Sequence, residues 1–143
     1  MEYKGILKVN AHDLYETLLE SVRLDAGEKT GREIDKRTVE KGMRYKTQRQ
    51  YKGKMVDAYV DIKSPVKDKR IEIDYSAQGM NYAMIYDIVS IDERNCELTY
   101  NENGDLESVS ALQRFVFNSK NKKRFKEIEK YIINNKKEKK NEA

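Results

Sequence analysis

The sequence has no tryptophan and only one cysteine, one proline and one histidine in 143 residues. One cysteine excludes an intrachain disulfide and a cysteine-based zinc site, and one histidine excludes a histidine-rich metal site. No run approaches the roughly 20 apolar residues that span a bilayer, and the charged N-terminal segment does not have the pattern of a signal peptide. We therefore expect a cytoplasmic protein without membrane insertion and without a cofactor.

Charged residues make up 38% of the chain, well above the average of about 25%. Residues 120–140 hold ten basic and three acidic side chains, so the rest of the chain is net −3 within a total of +4. This basic end predicts either a solvated helix face or a surface for nucleic acid or an anionic membrane. Glu127 and Glu129 interrupt the positive charge, so a solvated face is the simpler interpretation and nucleic acid is disfavoured as a partner.

Hydrophobic periodicity predicts a strand, a helix, five or six further strands and a long C-terminal helix. Residues 3–9 have the pattern of a short strand, and Asn10 with Asp13 marks the start of an amphipathic helix. Residues 27–31 then resemble a charged loop, and alternation of period two begins near Ile34. Consecutive strands with short turns predict an antiparallel meander, whose apolar face the C-terminal helix covers.

The C-terminal helical region carries two apolar stripes, one before and one after a predicted break at Asn118 and Ser119. The first stripe consists of Val109, Leu112 and Val116, and the second of Phe125, Ile128 and Ile132. A loop is predicted before this region, at residues 101–105. Residues 135–143 are almost all Lys, Glu and Asn, which predicts a disordered basic tail after a single domain of residues 1–134.

This order of elements resembles the helix-grip fold of START-like and birch-pollen-allergen-like proteins, over about residues 3–133. The chain is also similar to an uncharacterised bacterial family of small helix-grip domains. The resemblance implies an α+β fold in which an antiparallel sheet curves around the long C-terminal helix, with a short helix after the first strand. It further implies a cavity between sheet and helix that binds apolar small molecules. The sequence itself shows no second short helix after the first one.

Arg49 and the strand tyrosines are the candidate ligand-binding residues. If the period-two face of Arg49 is concave, its guanidinium points among aromatic rings and can bind a carboxylate or phosphate. If the strand is an edge, Arg49 lies in solvent or pairs with a neighbouring acid. The tyrosines line a pocket under the first interpretation and pack an ordinary core under the second. They are Tyr45, Tyr75, Tyr82, Tyr86 and Tyr100.

Three further residues invite a chemical role but have simpler explanations. Asp87 lies in the most apolar strand, where it could act as a general acid or base or could occupy an interface. His12, beside the first helix cap, predicts a surface or capping position, and Cys96 predicts a packed thiol. No nucleophile, base, phosphate-binding loop or metal set is recognisable, so we expect a binding domain rather than an enzyme.

Three functions therefore stay open. The first is a domain that binds a small apolar or amphipathic ligand in a tyrosine-lined cavity. The second is a homodimeric interaction or assembly module that uses residues 80–91, which are apolar on both strand faces. The third is binding of nucleic acid or an anionic surface through the basic C-terminal helix.

Overall fold

One six-stranded antiparallel sheet forms the framework of the computed structural model, which describes residues 1–104 and 111–142. Its strands are β1 (Glu2–Leu7), β2 (Met43–Tyr51), β3 (Lys54–Ile62), β4 (Arg70–Ala77), β5 (Met80–Asp92) and β6 (Asn95–Gly104). Their spatial order is β1-β6-β5-β4-β3-β2, so β2 to β6 form a meander and β1 pairs with the last strand. The predicted α+β class and antiparallel meander are confirmed.

The hairpins β2–β3 and β4–β5 both close with two-residue loops that end in glycine. Lys52 and Gly53 have φ of 50° and 77°, and Gln78 and Gly79 have φ of 52° and 74°. Positive φ at both loop positions is the geometry of a type I′ turn, whose twist matches that of the flanking strands. Because turn type fixes the register, these loops also determine which side chains of each strand face inward.

Three helices accompany the sheet: α1 (Ala11–Thr30), α2 (Lys36–Lys41) and α3 (Ala111–Glu142). Asn10 caps α1 as predicted, because its side-chain oxygen accepts a hydrogen bond from the Asp13 backbone N–H at 2.8 Å. None of the described helices is both long enough and apolar enough to cross a membrane. Helix α3 runs past residue 134, where sequence analysis places the domain end, and that boundary stays a prediction.

Several local predictions were wrong. Helix α1 continues through residues 27–30, which were predicted as loop, and ends only at the left-handed Gly31. Helix α2 was not predicted, although Asp35 caps it by accepting a hydrogen bond from the Arg37 backbone N–H at 2.9 Å. Strand β6 continues through residues 101–104, also predicted as loop, because these residues pair with β5 and Asn101 also pairs with Glu2 of β1. The alternation of period two, predicted from about Ile34, begins only with β2 at Met43.

Helix α3 is continuous across residues 118–119, where a break was predicted. Phe117 and Phe125 are both buried and share the side of the helix that faces the sheet, so packing holds the two halves in one helix. The first predicted apolar stripe is wrong in a different way. Leu112 and Val116 are exposed instead of packed, and Val109 lies outside the described residues.

The core lies on the concave face of the sheet. Helix α1 closes one end with Leu14, Leu18 and Leu19, all almost completely buried. Burying a side chain of this size stabilises the fold by roughly 1.5–3 kcal/mol. Helix α3 packs mainly along β1 and α1 and contributes Phe125 and Ile132 to the core.

The convex face of β5 has no cover from any described element. Val89 and Ile91 on this strand are 57% and 52% exposed. Sequence analysis expected residues 80–91 to be covered on both faces or to form an interface. The first alternative is wrong for the described chain, and the interface stays a prediction.

Candidate functional site

Burial on the concave face decreases from the α1 end toward the β2–β3 hairpin. Near α1 the inward side chains, such as Ile71 on β4 and Leu98 on β6, are fully buried. Toward the hairpin the same strands carry inward side chains that are only half-buried: Tyr75 on β4, Tyr82 and Met84 on β5, and Glu102 on β6. The concave face is therefore filled at one end and accessible at the other.

Strand register places these half-buried residues side by side. Tyr75 pairs with Tyr82 across β4–β5, and Met84 pairs with Glu102 across β5–β6. The rings of the two tyrosines have centroids 6.2 Å apart and are tilted by 54°. The accessible half of the face, which we call the tyrosine site, consists of Tyr75, Tyr82, Met84, Glu102 and Arg49.

The phenols of the tyrosine site stay neutral at physiological pH. Burial raises the pKa of Tyr75, and the carboxylate of Asp25 raises it further. Burial also raises the pKa of Tyr82, and its hydrogen bond to Glu102 adds to the shift. The positive charge of Arg49 partly opposes both shifts. The Tyr75 hydroxyl is therefore a protonated donor, whereas the proton of the Tyr82 hydroxyl is already shared with Glu102.

Arg49 lies on the inward side of the edge strand β2, yet it is exposed. Val56 is its partner in the β2–β3 hairpin, and β3 pairs with β4 only from Tyr59 onward, so the hairpin extends beyond β4 here. No ion pair among the described residues includes Arg49. The guanidinium thus stands at the rim of the tyrosine site, neither enclosed by aromatic rings nor paired with an acid.

Arg124 of α3 is an inward-facing cation that sequence analysis missed. Its side chain is half-buried, and Nη2 donates a hydrogen bond to the Tyr86 hydroxyl at 2.7 Å. The guanidinium carbon lies 5.6, 5.5 and 5.0 Å from the ring centroids of Tyr86, Tyr100 and Phe125. No ion pair among residues 1–104 and 111–142 includes Arg124. Ring faces and phenol oxygens therefore take the place of a carboxylate.

Arg124 remains charged in this setting. Burial lowers its pKa, but interactions with Tyr86 and Tyr100 outweigh that effect and raise the pKa above its ordinary value. The signal for its orientation was present in the sequence. Arg124 lies three residues after Asn121 and next to Phe125, both buried, which places it on the same side of the helix. It was overlooked among the surrounding lysines.

A chain of polar contacts connects Arg124 with the tyrosine site. Tyr100 donates a hydrogen bond from its hydroxyl to Oε1 of Glu102 at 2.5 Å. Glu102 also interacts with the hydroxyl of Tyr82. Because the guanidinium of Arg124 contacts both Tyr86 and Tyr100, one polar row runs from the buried core to the accessible half of the concave face.

The six predicted ligand-binding residues all lie on the concave side but fall into two groups. Tyr45, Tyr86 and Tyr100 are buried and belong to the core. Tyr75, Tyr82 and Arg49 are accessible and belong to the tyrosine site. Their predicted role in binding remains a prediction.

A second concavity, an open groove of about 1310 Å³, lies between the first turn of α1 and strands β4 and β5. His12 and Asp68 meet there, with Nδ1 and Oδ1 2.8 Å apart. Arg70 pairs with Asp87, its direct partner across β4–β5, at 3.0 Å and also with Glu72. Since these charged groups already have partners and are partly exposed, the groove is a weaker candidate than the tyrosine site. Asp87 faces the convex side, which does not support a catalytic role.

Cys96 and the acidic residues offer little further chemistry. Cys96 is fully buried, and burial raises the pKa of its thiol to about 11. A neutral, inaccessible thiol matches the predicted packing role. Within residues 1–104 and 111–142, no group of three or more His, Cys, Asp and Glu side chains could hold a metal ion.

Comparison with known proteins identifies the family and the fold. A family model described as Domain of unknown function (DUF3284) matches residues 1–117. The structure is similar to a conserved protein from Geobacillus kaustophilus, with 16% identity, coverage of 93% of this chain and 94% of that chain, and a TM-score of 0.56. It is also similar to Ara h 8.0201, with 14% identity, coverage of 94% and 97%, and a TM-score of 0.51. The helix-grip fold is thereby confirmed, while the comparison with curated proteins finds no match.

Proposed function

The chain belongs to the family described as Domain of unknown function (DUF3284), and from that premise we propose that it is a small-molecule-binding domain. The ligand would lie between the concave face of the sheet and α3. The observation that carries this proposal is the accessible half of the concave face. There Tyr75 and Tyr82 are half-buried next to Arg49, whereas the α1 end of the same face is filled.

The chemistry of the tyrosine site favours an amphipathic ligand. The faces of Tyr75 and Tyr82 offer contact area for a ring or another apolar body, and the Tyr75 hydroxyl offers a hydrogen bond. Arg49 on β2 and Glu102 on β6 stand on opposite sides of this pair, because the strands lie in the order β6-β5-β4-β3-β2. A ligand with an anionic group at one end and a hydrogen-bond donor at the other would complement both.

A titration followed by NMR tests this proposal. The probe is anilinonaphthalenesulfonate, an aromatic anion that resembles the expected ligand class. We expect saturable binding with the largest backbone amide shifts near Tyr75, Tyr82 and Met84. Arg49→Gln should weaken binding about tenfold, because one charge-assisted contact contributes about 1.5 kcal/mol.

Arg44→Gln is the matched control. Arg44 lies on the same strand but faces the convex side, where its guanidinium carbon is 5.1 Å from the ring centroid of Tyr59. Its substitution should leave probe affinity unchanged. Amide shifts centred on the groove at His12 and Asp68, or an equal loss in both variants, would rule the tyrosine site out. Native mass spectrometry of protein purified from its own host would then identify any ligand that remains bound.

A further inference from the structure

The beginning of α3 exposes large apolar side chains on the side away from the sheet. Leu112, Phe115 and Val116 are 71%, 68% and 54% exposed. Their spacing of three and four residues places them on one side of the helix. Phe117, which faces the sheet, lies on the opposite side and is buried. No described element covers the three residues, which we call the apolar turn.

Lysines continue the same side of the helix. Lys122, Lys123 and Lys126 lie 7, 8 and 11 residues after Phe115, which is two to three helical turns, and all three are exposed. No ion pair among the described residues involves these lysines. Their charge is therefore not neutralised within the described chain.

The distribution of charge strengthens this contrast. Residues 112–126 contain six of the 29 basic residues and none of the 25 acidic ones, so the rest of the chain, with 23 basic and 25 acidic residues, is net −2. Glu127 is the first acid after the apolar turn. The acids that sequence analysis expected to interrupt the positive charge therefore lie beyond this half of the helix.

An apolar turn beside unneutralised lysines matches the surface of an anionic membrane. Lipid phosphates offer negative charge at the level of the lysines, and the adjacent acyl region accepts leucine and phenylalanine side chains. Nucleic acid would attract the lysines but would leave Leu112 and Val116 without apolar contacts. A second copy of the same face would bring like charges together.

We infer that residues 112–126 dock the protein peripherally on anionic membrane surfaces. The apolar turn enters the headgroup region, and Lys122, Lys123 and Lys126 bind lipid phosphates. Docking uses the outer side of α3, whereas Arg124 and Phe125 face the sheet. It is therefore independent of the ligand proposed for the tyrosine site, and each can fail without the other.

The lack of tryptophan provides a direct test. Phe115→Trp places a single tryptophan on the apolar turn, and Val89→Trp places one on the exposed convex face of β5; excitation at the red edge of the absorption band selects tryptophan over the ten tyrosines. Both full-length variants are titrated with vesicles of phosphatidylcholine alone and of phosphatidylcholine mixed with phosphatidylglycerol. We expect a blue shift only for Phe115→Trp and only with phosphatidylglycerol, because only that ring leaves water.

Vesicle co-sedimentation tests the role of charge. Lys122→Gln/Lys123→Gln should weaken binding roughly 30-fold, since each lysine near an anionic surface contributes about fivefold. Lys41→Gln/Lys67→Gln removes two exposed lysines elsewhere and should change binding little. High salt should abolish binding of the unmodified protein.

Leu112→Ser tests the apolar contribution and should weaken binding severalfold, without unfolding a chain in which this side chain is already exposed. Binding to anionic vesicles that survives both the lysine and the Leu112 substitutions would overturn the inference. So would a blue shift at both tryptophans, or a complete lack of vesicle binding. If the protein instead binds short duplex DNA or RNA and not vesicles, the surface belongs to nucleic acid and the inference is wrong.

Discussion

Replacement of Arg124 by methionine tests whether this inward guanidinium serves the fold or a ligand. Methionine keeps an unbranched apolar stem but removes the charge and the hydrogen bond to Tyr86. If Arg124 is mainly a structural element, its loss should greatly lower the free energy of unfolding. If it is retained for interaction with a bound molecule, the stability change should be small.

The contacts of Arg124 allow the magnitude to be worked out. The charge-assisted hydrogen bond contributes about 1.5–3 kcal/mol, and the cation–π contacts with the rings add about 0.5–2 kcal/mol. Removing the guanidinium from water costs several kcal/mol for a buried ion without a counter-charge, and less at this half-buried position. These terms largely cancel, so we expect Arg124→Met to lower the free energy of unfolding by only about 1 kcal/mol.

Urea unfolding followed by circular dichroism measures this difference. Phe125→Ala, at the adjacent fully buried position, should cost about 3–5 kcal/mol and calibrates a core substitution. Arg114→Met, at an exposed position of the same helix, should be close to neutral. A loss above about 3 kcal/mol for Arg124→Met would refute the cancellation and make Arg124 a structural residue.

Three further predictions concern groups with shifted proton equilibria or short contacts. Tyr100→Phe removes the donor to Glu102 and should lower the free energy of unfolding by about 1–2 kcal/mol in urea titration, whereas an unchanged value would show that the 2.5 Å contact is not stabilising. Burial and the neighbouring Glu72 raise the pKa of Asp74, and its buried Oδ1 has no partner among the described residues. Because the pKa of Asp74 is raised in the folded state, its ionised form destabilises the fold at pH values above that pKa. Asp74→Asn should therefore increase the free energy of unfolding at pH 7 by roughly 0.5–1 kcal/mol, a value already discounted for partial exposure. The gain should vanish as pH falls below the unfolded pKa, where the carboxyl group is protonated in both states. A thiol pKa of about 11 at Cys96 should make its reaction with a disulfide reagent at pH 8 roughly 100-fold slower than in urea, and equal rates would contradict the burial.

Much of the fold could be predicted from sequence because its signals are local. Alternation of period two identified the meander, and Asn10 identified the start of α1. Errors arose where tertiary contacts outweigh local preference. Residues 101–104 look like a loop, yet pairing with β5 holds them in a strand. Residues 118–119 look like a break, yet buried Phe117 and Phe125 on either side keep α3 continuous.

The candidate site was only partly predictable from sequence. Which side chains line it depends on the side of α3 that faces the sheet and on where neighbouring strands stop pairing. The tyrosines were found by alternation, which reports the face of a strand but not how far a helix covers that face. Sequence analysis left Arg49 either inward-facing or exposed on an edge strand; β2 is an edge strand and Arg49 is exposed, because β3 pairs with β4 only from Tyr59 onward. Arg124 was missed because a lysine-rich segment gives no reason to single out one basic residue until the phase of the buried side is known.

Hydrogen-bond satisfaction separates Tyr86 and Tyr100 of the core from Tyr75 of the tyrosine site. The buried phenols of Tyr86 and Tyr100 are held by Arg124 and Glu102, so their polar groups are satisfied within the protein. The hydroxyl of Tyr75 has no hydrogen-bond partner among the described residues, although burial of the side chain raises its pKa. Phenylalanine would fill the same space without a polar group to satisfy. The half-buried phenol of Tyr75, with the exposed Arg49 at the rim, is therefore the part of the concave face on which the proposal of a bound molecule depends.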